Sequence, residues 1–279
     1  MNHLAVIGDP IHHSLSPVMH NAALEDSKLN DSYDYKAIHV KPNLLSKFIE
    51  TLDQNQISGF NVTQPYKMSI IKYLDELDKM TKNIGAANTV IKKNTKLIGY
   101  NTDIQGFIDS LDDNNIKYKN RRALVLGAGG AAQAILYGLL NAGTGVEIFN
   151  RTQTKAVNLK KRFDEFGSIT VQDKLKTNDI DIIINTTSVG LNNMDSPLPS
   201  ALISEQHEVV DIIYNPFTTP LLREAQKKNC HYINGLDMLV SQGALAFNFF
   251  TGIEPNKLIM KEALLSHFKN RPNNEEFIR

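Results

Sequence analysis

A lysine, an aspartate and a set of short polar side chains give this sequence its capacity for chemistry. Lys67 closes the stretch Asn61-Val62-Thr63-Gln64-Pro65-Tyr66-Lys67, which follows a run with strand character. The C-terminal end of a strand is where an α/β sheet builds its binding crevice. Asn61 and Thr63 alternate with Val62, so both can face that crevice. The pattern after Pro65 predicts a helix over 66–73 with Lys67 in its first turn, where a positive charge opposes the helix dipole. Proton transfer is one reason for a lysine there; an ordinary surface lysine is the other. Asp103 ends Asn101-Thr102-Asp103 ahead of a further helical pattern, either as a dipole-compensating residue or as a partner for a cation. Asn88 begins a strand upstream, and Tyr214 follows one just before Asn215-Pro216. Gln242 interrupts an apolar helix face, as a polar exception or a ligand contact. Ser14 and Ser16 stand on alternate positions after the first strand and could donate to one carboxylate, although Ser16 before Pro17 also reads as a helix N-cap.

A second chemistry lies in Arg121–Leu140, RRALVLGAGGAAQAILYGLL. An apolar strand runs into Gly127-Ala128-Gly129-Gly130-Ala131, with Gly127, Gly129 and Ala132 at the spacing G-x-G-x-x-A, and a helical pattern follows at once. Strand, glycine turn and helix N-terminus together suit a dinucleotide pyrophosphate. The next strand ends near Arg151, about where a ribose-reading residue belongs. NAD sites usually carry a carboxylate there. This chain has Asn150, Arg151, Thr152 and Lys155, donors and positive charge that suit a 2′-phosphate, so the sequence points to NADP.

These residues need two α/β units to position them. In the first, strands are expected at 4–7, 33–40 and 58–62, helices at 17–27 and 42–52, and helical segments at 66–73 and 75–83. A hairpin of 88–92 with 97–100 follows, and then a helix at 102–111. In the second, strands are expected at 123–126, 145–151, 180–185, 208–213 and 231–233, and helices at 154–166 and 220–228. Helices at 235–250 and 255–268 exceed what a dinucleotide domain requires and should return to the first unit. The expected layout is thus a discontinuous substrate domain (1–102 and 236–279) with a mainly parallel sheet, a Rossmann domain (103–235), and a cleft between them.

Composition narrows the function classes. Thirty basic and thirty acidic residues cancel in 279, with no long charged block, which argues against nucleic acid or an anionic membrane as the main partner. The 42% hydrophobic content is enough for real cores, and no apolar stretch approaches membrane-spanning length. One cysteine, Cys230, forms no internal disulfide and suits a reducing cytoplasm. No metal site is expected. The polar segment 270–279 should fray.

Taken together, the motifs resemble the shikimate dehydrogenase family. Ser14/Ser16, NVTQPYK 61–67, NTD 101–103, GAGGAA 127–132, NRT 150–152, DIIYNP 211–216 and GLDMLVSQGALAF 235–247 carry the resemblance over nearly the whole chain. It implies an enzyme that interconverts 3-dehydroshikimate and shikimate with NADPH, within aromatic amino acid biosynthesis, as a monomer or homodimer. Lys67 would be the catalytic lysine with Asp103 as its neighbour. Ser14 and Ser16, with Tyr214, would hold the substrate carboxylate; Asn61, Thr63, Asn88, Asp103 and Gln242 would hold the ring hydroxyls. Gly127 to Ala131 would cradle pyrophosphate, Asn150 to Lys155 the 2′-phosphate, and Ile212 and Gly235 would flank the nicotinamide. Tyr66 and Phe250 depart from residues common in the family, at positions away from the chemistry. The competing readings are a quinate dehydrogenase of the same fold, a non-catalytic NADP sensor, and an S-adenosylmethionine-dependent methyltransferase. The absence of an acidic residue after the second strand disfavours the last.

Overall fold

The structure, a computed structural model, describes residues 1–270. The chain divides into two compact units, one formed by Met1–Thr102 and the described chain from Val240 on, the other by Asp103–Leu239. The second division falls inside a helix rather than at 236, the position expected from the pattern. The segment expected to fray lies, from 271 on, outside the described residues.

The first unit begins with β1 (Asn2–Gly8), α1 (Ser16–Asp26), β2 (Tyr33–His39), α2 (Leu45–Glu50) and β3 (Ile57–Val62). It continues through β4 (Glu76–Leu77), α3 (Lys79–Ile84), β5 (Thr89–Lys93) and β6 (Lys96–Tyr100). Its sheet has the order β2-β1-β3-β5-β6-β4. β1, β2 and β3 are parallel, whereas β5 runs antiparallel to both β3 and β6. The apolar run 4–7 is buried, as suits β1 between β2 and β3, and Ile7, Phe60, Val62, Ile70 and Val90 form one core. Burying a side chain of this size contributes about 1.5–3 kcal/mol.

Two expectations fail here. The segment 66–73 is not an α-helix: only Ser69–Tyr73 coils, as a 3₁₀ turn, and Lys67 sits in the turn before it. Ser69, the β-branched Ile70 and Ile71, and Tyr73 are modest helix formers. The chain extends again by Leu74, ahead of β4, so the coil stops after Tyr73. The argument from a helix dipole at Lys67 therefore falls. The segment 75–83 likewise splits into edge strand β4 and α3. Asp78 sets the helix start by accepting from the Thr81 N–H at 3.0 Å and the Met80 N–H at 3.3 Å.

The second unit contains α4 (Asp103–Asp113), β7 (Arg122–Leu126), α5 (Gly130–Asn141), β8 (Gly145–Phe149), α6 (Gln153–Phe163) and β9 (Ile169–Val171). It goes on with β10 (Ile182–Asn185), β11 (Glu208–Asp211), α7 (Pro220–Lys227) and β12 (His231–Ile233). All its strands are parallel, in the order β12-β11-β10-β7-β8-β9. This is the doubly wound Rossmann order, whose switch point lies between β7 and β10. Strand β8 ends at Phe149, so Asn150 and Arg151 lie in the following loop, and β9 was not foreseen. Leu124, Ile183, Val209 and Leu221 share a core.

α8 (Leu236–Thr251) and α9 (Lys257–Lys269) complete the described chain. α9 packs on α1, and Phe247 of α8 stacks 6.2 Å from the His20 ring. α9 begins at Lys257 because Asn256 caps it, accepting from the Leu258 N–H at 3.0 Å. Among the described residues no helix is long and apolar enough to cross a membrane.

Candidate active site

Strand direction gathers the polar residues of the first unit at one sheet edge. β1 and β3 end there; β5, being antiparallel, starts there, and β6 returns there, with Thr89 opposite both Asn61 and Tyr100. The side chains at this edge form one hydrogen-bonded chain. The Tyr35 hydroxyl donates to Asn61 Oδ1 at 2.6 Å. Asn61 Nδ2 donates to the Asn88 carbonyl at 3.1 Å and to Thr89 Oγ1 at 2.9 Å. Asn88 Oδ1 accepts from the Thr102 N–H at 2.7 Å, and Asn88 Nδ2 donates to Thr102 Oγ1 at 2.9 Å. Gln242 Oε1 stands 3.4 Å from Asn88 Nδ2. A buried network of this kind holds its members in fixed orientations when each is satisfied.

The loops beside this chain carry the remaining candidates. Thr63 is half-buried, and its N–H donates to the Ile7 carbonyl at 3.0 Å. The Ala87 N–H donates to the Lys67 carbonyl at 2.8 Å, while the neighbouring Asn88 holds the Thr102 N–H just ahead of Asp103. The backbones at Lys67 and Thr102 are therefore anchored to consecutive residues. Lys67 is half-buried and Asp103 buried. Ser14 Oγ accepts from the Ser16 N–H at 3.3 Å. Ser16 does not cap α1 as one reading had it, because the helix already starts at Ser16 and Leu15 occupies the cap position. The Ser16 side chain instead lies toward the Tyr35 phenol, where it favours the ionised form against the larger effect of burial.

In the second unit the glycine loop leaves β7 at the switch point. The Gly127 N–H donates to the Phe149 carbonyl at 2.9 Å, and Gly127 adopts φ +113°, a conformation L side chains rarely take. A Cβ there would lie 2.6 Å from Thr186 Oγ1. Cβ atoms built on Gly129 and Gly130 meet nothing within 4 Å, so the space before these residues is open. α5 starts at Gly130 with no side-chain cap and no acidic residue in its first turn. Its leading N–H groups suit an anion. Arg151, Thr152 and Lys155 are exposed after β8, and Asn150 Nδ2 donates to the Thr152 carbonyl at 2.9 Å. Backbone, space and charge all fit a dinucleotide with an extra phosphate.

Beyond β11 the chain bends around Asp211. Its carboxylate accepts from Asn185 Nδ2 at 3.0 Å, the Ile213 N–H at 3.1 Å and Thr219 Oγ1 at 2.7 Å. Burial raises its pKa from the ordinary value to about 6, against the lowering effect of those three donors. Ile212 and Tyr214 follow, both half-buried, and burial pushes the Tyr214 phenol up. The Gly235 N–H donates to the Ile213 carbonyl at 3.1 Å, and a Cβ at Gly235 would fall 2.0 Å from the Ile212 carbonyl oxygen. Only glycine fits.

The structure thus links Asn61, Asn88 and Gln242 in one network of the first unit, with Ser14 and Ser16 hydrogen-bonded to each other where the chain enters α1 and Thr63 and Lys67 on an adjoining loop. Tyr214, Ile212 and Gly235 belong to the second unit. Sequence reasoning missed Tyr35, Thr89, Asn185 and Asp211. Asp211 left a signal, a carboxylate ending the apolar run of β11. Among the described residues no group of three or more His, Cys, Asp or Glu side chains could hold a metal ion.

Comparison with known proteins agrees across the chain. The model for a shikimate dehydrogenase substrate binding domain matches residues 6–90. The shikimate / quinate 5-dehydrogenase model matches 110–212, and the shikimate 5′-dehydrogenase C-terminal domain model matches 235–265. The shikimate dehydrogenase (NADP(+)) of Nitrosopumilus maritimus is 43% identical over 270 residues, covering 95% of this chain and 98% of its own. A crystal structure of a shikimate dehydrogenase in complex with NADP+ superposes with a TM-score of 0.90 at 41% identity, covering 96% of each chain. The Thermus thermophilus enzyme in complex with NADP(H) and shikimate gives a TM-score of 0.88 at 38% identity, covering 94% of this chain and 98% of that one. With family models matching 6–90, 110–212 and 235–265 and relatives above 40% identical over nearly their whole length, the chain belongs to the shikimate dehydrogenase family.

Proposed function

We propose that this chain catalyses the reversible NADPH-dependent reduction of 3-dehydroshikimate to shikimate, in a reducing cytoplasm that suits its lone, buried Cys230. The observation that carries the reading is the network of carboxamides and hydroxyls at the strand-end edge, with Lys67 anchored beside it. Such a patch fits a small polyhydroxylated ring. On this reading the first unit is the substrate domain and the second the NADP domain. Ser14 and Ser16, with Tyr214, receive the carboxylate; Asn61, Thr63, Asn88, Asp103 and Gln242 receive ring hydroxyls. The open backbone of Gly127 to Ala131 receives pyrophosphate, Asn150 to Lys155 the 2′-phosphate, and Ile212 with Gly235 borders the nicotinamide.

NADPH supplies the hydride. Lys67, as ammonium, stabilises the alkoxide developing on the ring carbonyl oxygen and gives it a proton. In the reverse direction the neutral amine takes that proton back. Lys67→Ala should lower kcat about 10²–10⁴-fold, the usual contribution of a positioned acid or base, with KM little changed. Following reduced nicotinamide with shikimate or quinate, and with NADP or NAD, tests the whole assignment. Full activity in Lys67→Ala, or no turnover of shikimate by the wild type, would refute it.

A further inference from the structure

We infer that Tyr35 is a positioning residue of the substrate site: its hydroxyl holds the Asn61 oxygen in place while Asn88 and Thr89 take up the amide hydrogens, so that Asn61 receives a ring hydroxyl and not the ring ketone. The inference rests on the reading of Asn61 as a substrate contact. A backbone carbonyl can only accept, so the Asn61 atom 3.1 Å from the Asn88 oxygen must be the nitrogen. Both Nδ2 hydrogens are then committed, one to that carbonyl and one to Thr89 Oγ1. Oδ1 has two lone pairs, and the Tyr35 hydroxyl occupies one at 2.6 Å. One lone pair is left for a ligand. A hydroxyl can donate to it, whereas a ketone oxygen would meet it acceptor against acceptor.

Tyr35 is built to stay in place. Asn21 clips its backbone on both sides, donating to its carbonyl at 2.9 Å and accepting from its N–H at 3.0 Å. Its ring stacks on His20, centroids 4.1 Å apart and planes within 1°. Burial holds the Tyr35 phenol well above its ordinary value and lowers His20 to about 3. The phenol therefore remains a protonated donor, and the imidazole beneath it remains neutral, across any working pH.

The test is a double-mutant cycle on Tyr35→Phe and Asn61→Ala, measured as shikimate oxidation by NADP. Phenylalanine keeps the ring over His20 and removes only the hydroxyl. Tyr35→Phe should raise KM for shikimate about three- to tenfold, the size of one hydrogen bond, while kcat stays within about twofold. In the Asn61→Ala background the same replacement should change KM by less than about 1.5-fold, because Tyr35 acts through Asn61. An unchanged KM in Tyr35→Phe, or an equal rise in both backgrounds, overturns the inference and leaves the functional reading intact. Failure of the wild type to oxidise shikimate overturns both.

Discussion

Replacing Asp211 by asparagine isolates the energetic cost of a buried carboxylate at the end of β11. Its pKa rises from 3.8 in the unfolded chain to about 6 in the fold. The folded protein thus binds this proton more tightly. The group's contribution to stability is full below about pH 4 and is lost as pH rises to about 6. Two pKa units at about 1.4 kcal/mol each put the total near 3 kcal/mol, of which about 2 kcal/mol falls between pH 4.5 and 7.5. In Asp211→Asn the amide oxygen can still accept from Asn185 Nδ2 and the Ile213 N–H, which share one carboxylate oxygen. The amide nitrogen would face Thr219 Oγ1, which already accepts from the Leu222 N–H, so one hydroxyl proton loses its acceptor. That costs about 1–1.5 kcal/mol, less than the ionisation penalty it removes. Urea unfolding of both proteins at several pH values gives the difference directly, and titrating groups common to both cancel. The stability of the variant relative to wild type should climb by about 2 kcal/mol from pH 4.5 to 7.5. A difference that stays flat within about 0.5 kcal/mol over that range would refute the account of Asp211 as a strained carboxylate.

Arg151→Ala should raise KM for NADP by about tenfold or more, for a charge-assisted phosphate contact, and alter KM for NAD far less; equal losses would remove Arg151 from phosphate reading. Gly235→Ala would place a Cβ 2.0 Å from the Ile212 carbonyl oxygen and 2.4 Å from its carbon. The backbone must then yield by roughly 1 Å, which should cost about 10²-fold in kcat/KM for NADPH, and activity within twofold of wild type would show that the loop is not part of the site. Ser14→Ala should raise KM for shikimate about tenfold. Ser16→Ala should leave the capping of α1 untouched, since Leu15 holds that position; faster amide exchange confined to the first turn of α1 would contradict this.

The strand ends were legible because buried strands write themselves as unbroken apolar runs, as in 4–7 and 123–126, and glycine spacing marks the turn at 127. The helix assigned to 66–73 was not, because a short polar-apolar segment carries the same pattern whether it coils once or three times. The role given to Lys67 consequently lost its first argument, the helix dipole, and acquired another in the bond from the Ala87 N–H. Tyr35 left no trace at all. A tyrosine in an edge-side strand looks like ordinary strand composition, and its partner Asn61 lies 26 residues away. The Ser16 reading failed by one residue, which decides whether a hydroxyl caps a helix or faces a tyrosine. Three-residue β9 is too short for alternation to show.

The β5–β6 hairpin leaves the polar edge at Thr89 and comes back to it at Tyr100, with Lys93 paired to Lys96 at the far end. Both ends are pinned, one through Asn88 and the other through Asn101, whose Nδ2 donates to the Ala86 carbonyl at 2.8 Å. The tip, where Asn94 adopts φ +56°, therefore stands about 16 Å from that edge, at roughly 3.3 Å per residue. Changes of length or composition at the tip are absorbed before they reach the anchored ends. The hairpin is an address at which a peptide tag, a fluorophore or an inherited insertion can be grafted while the chemistry stays where it is.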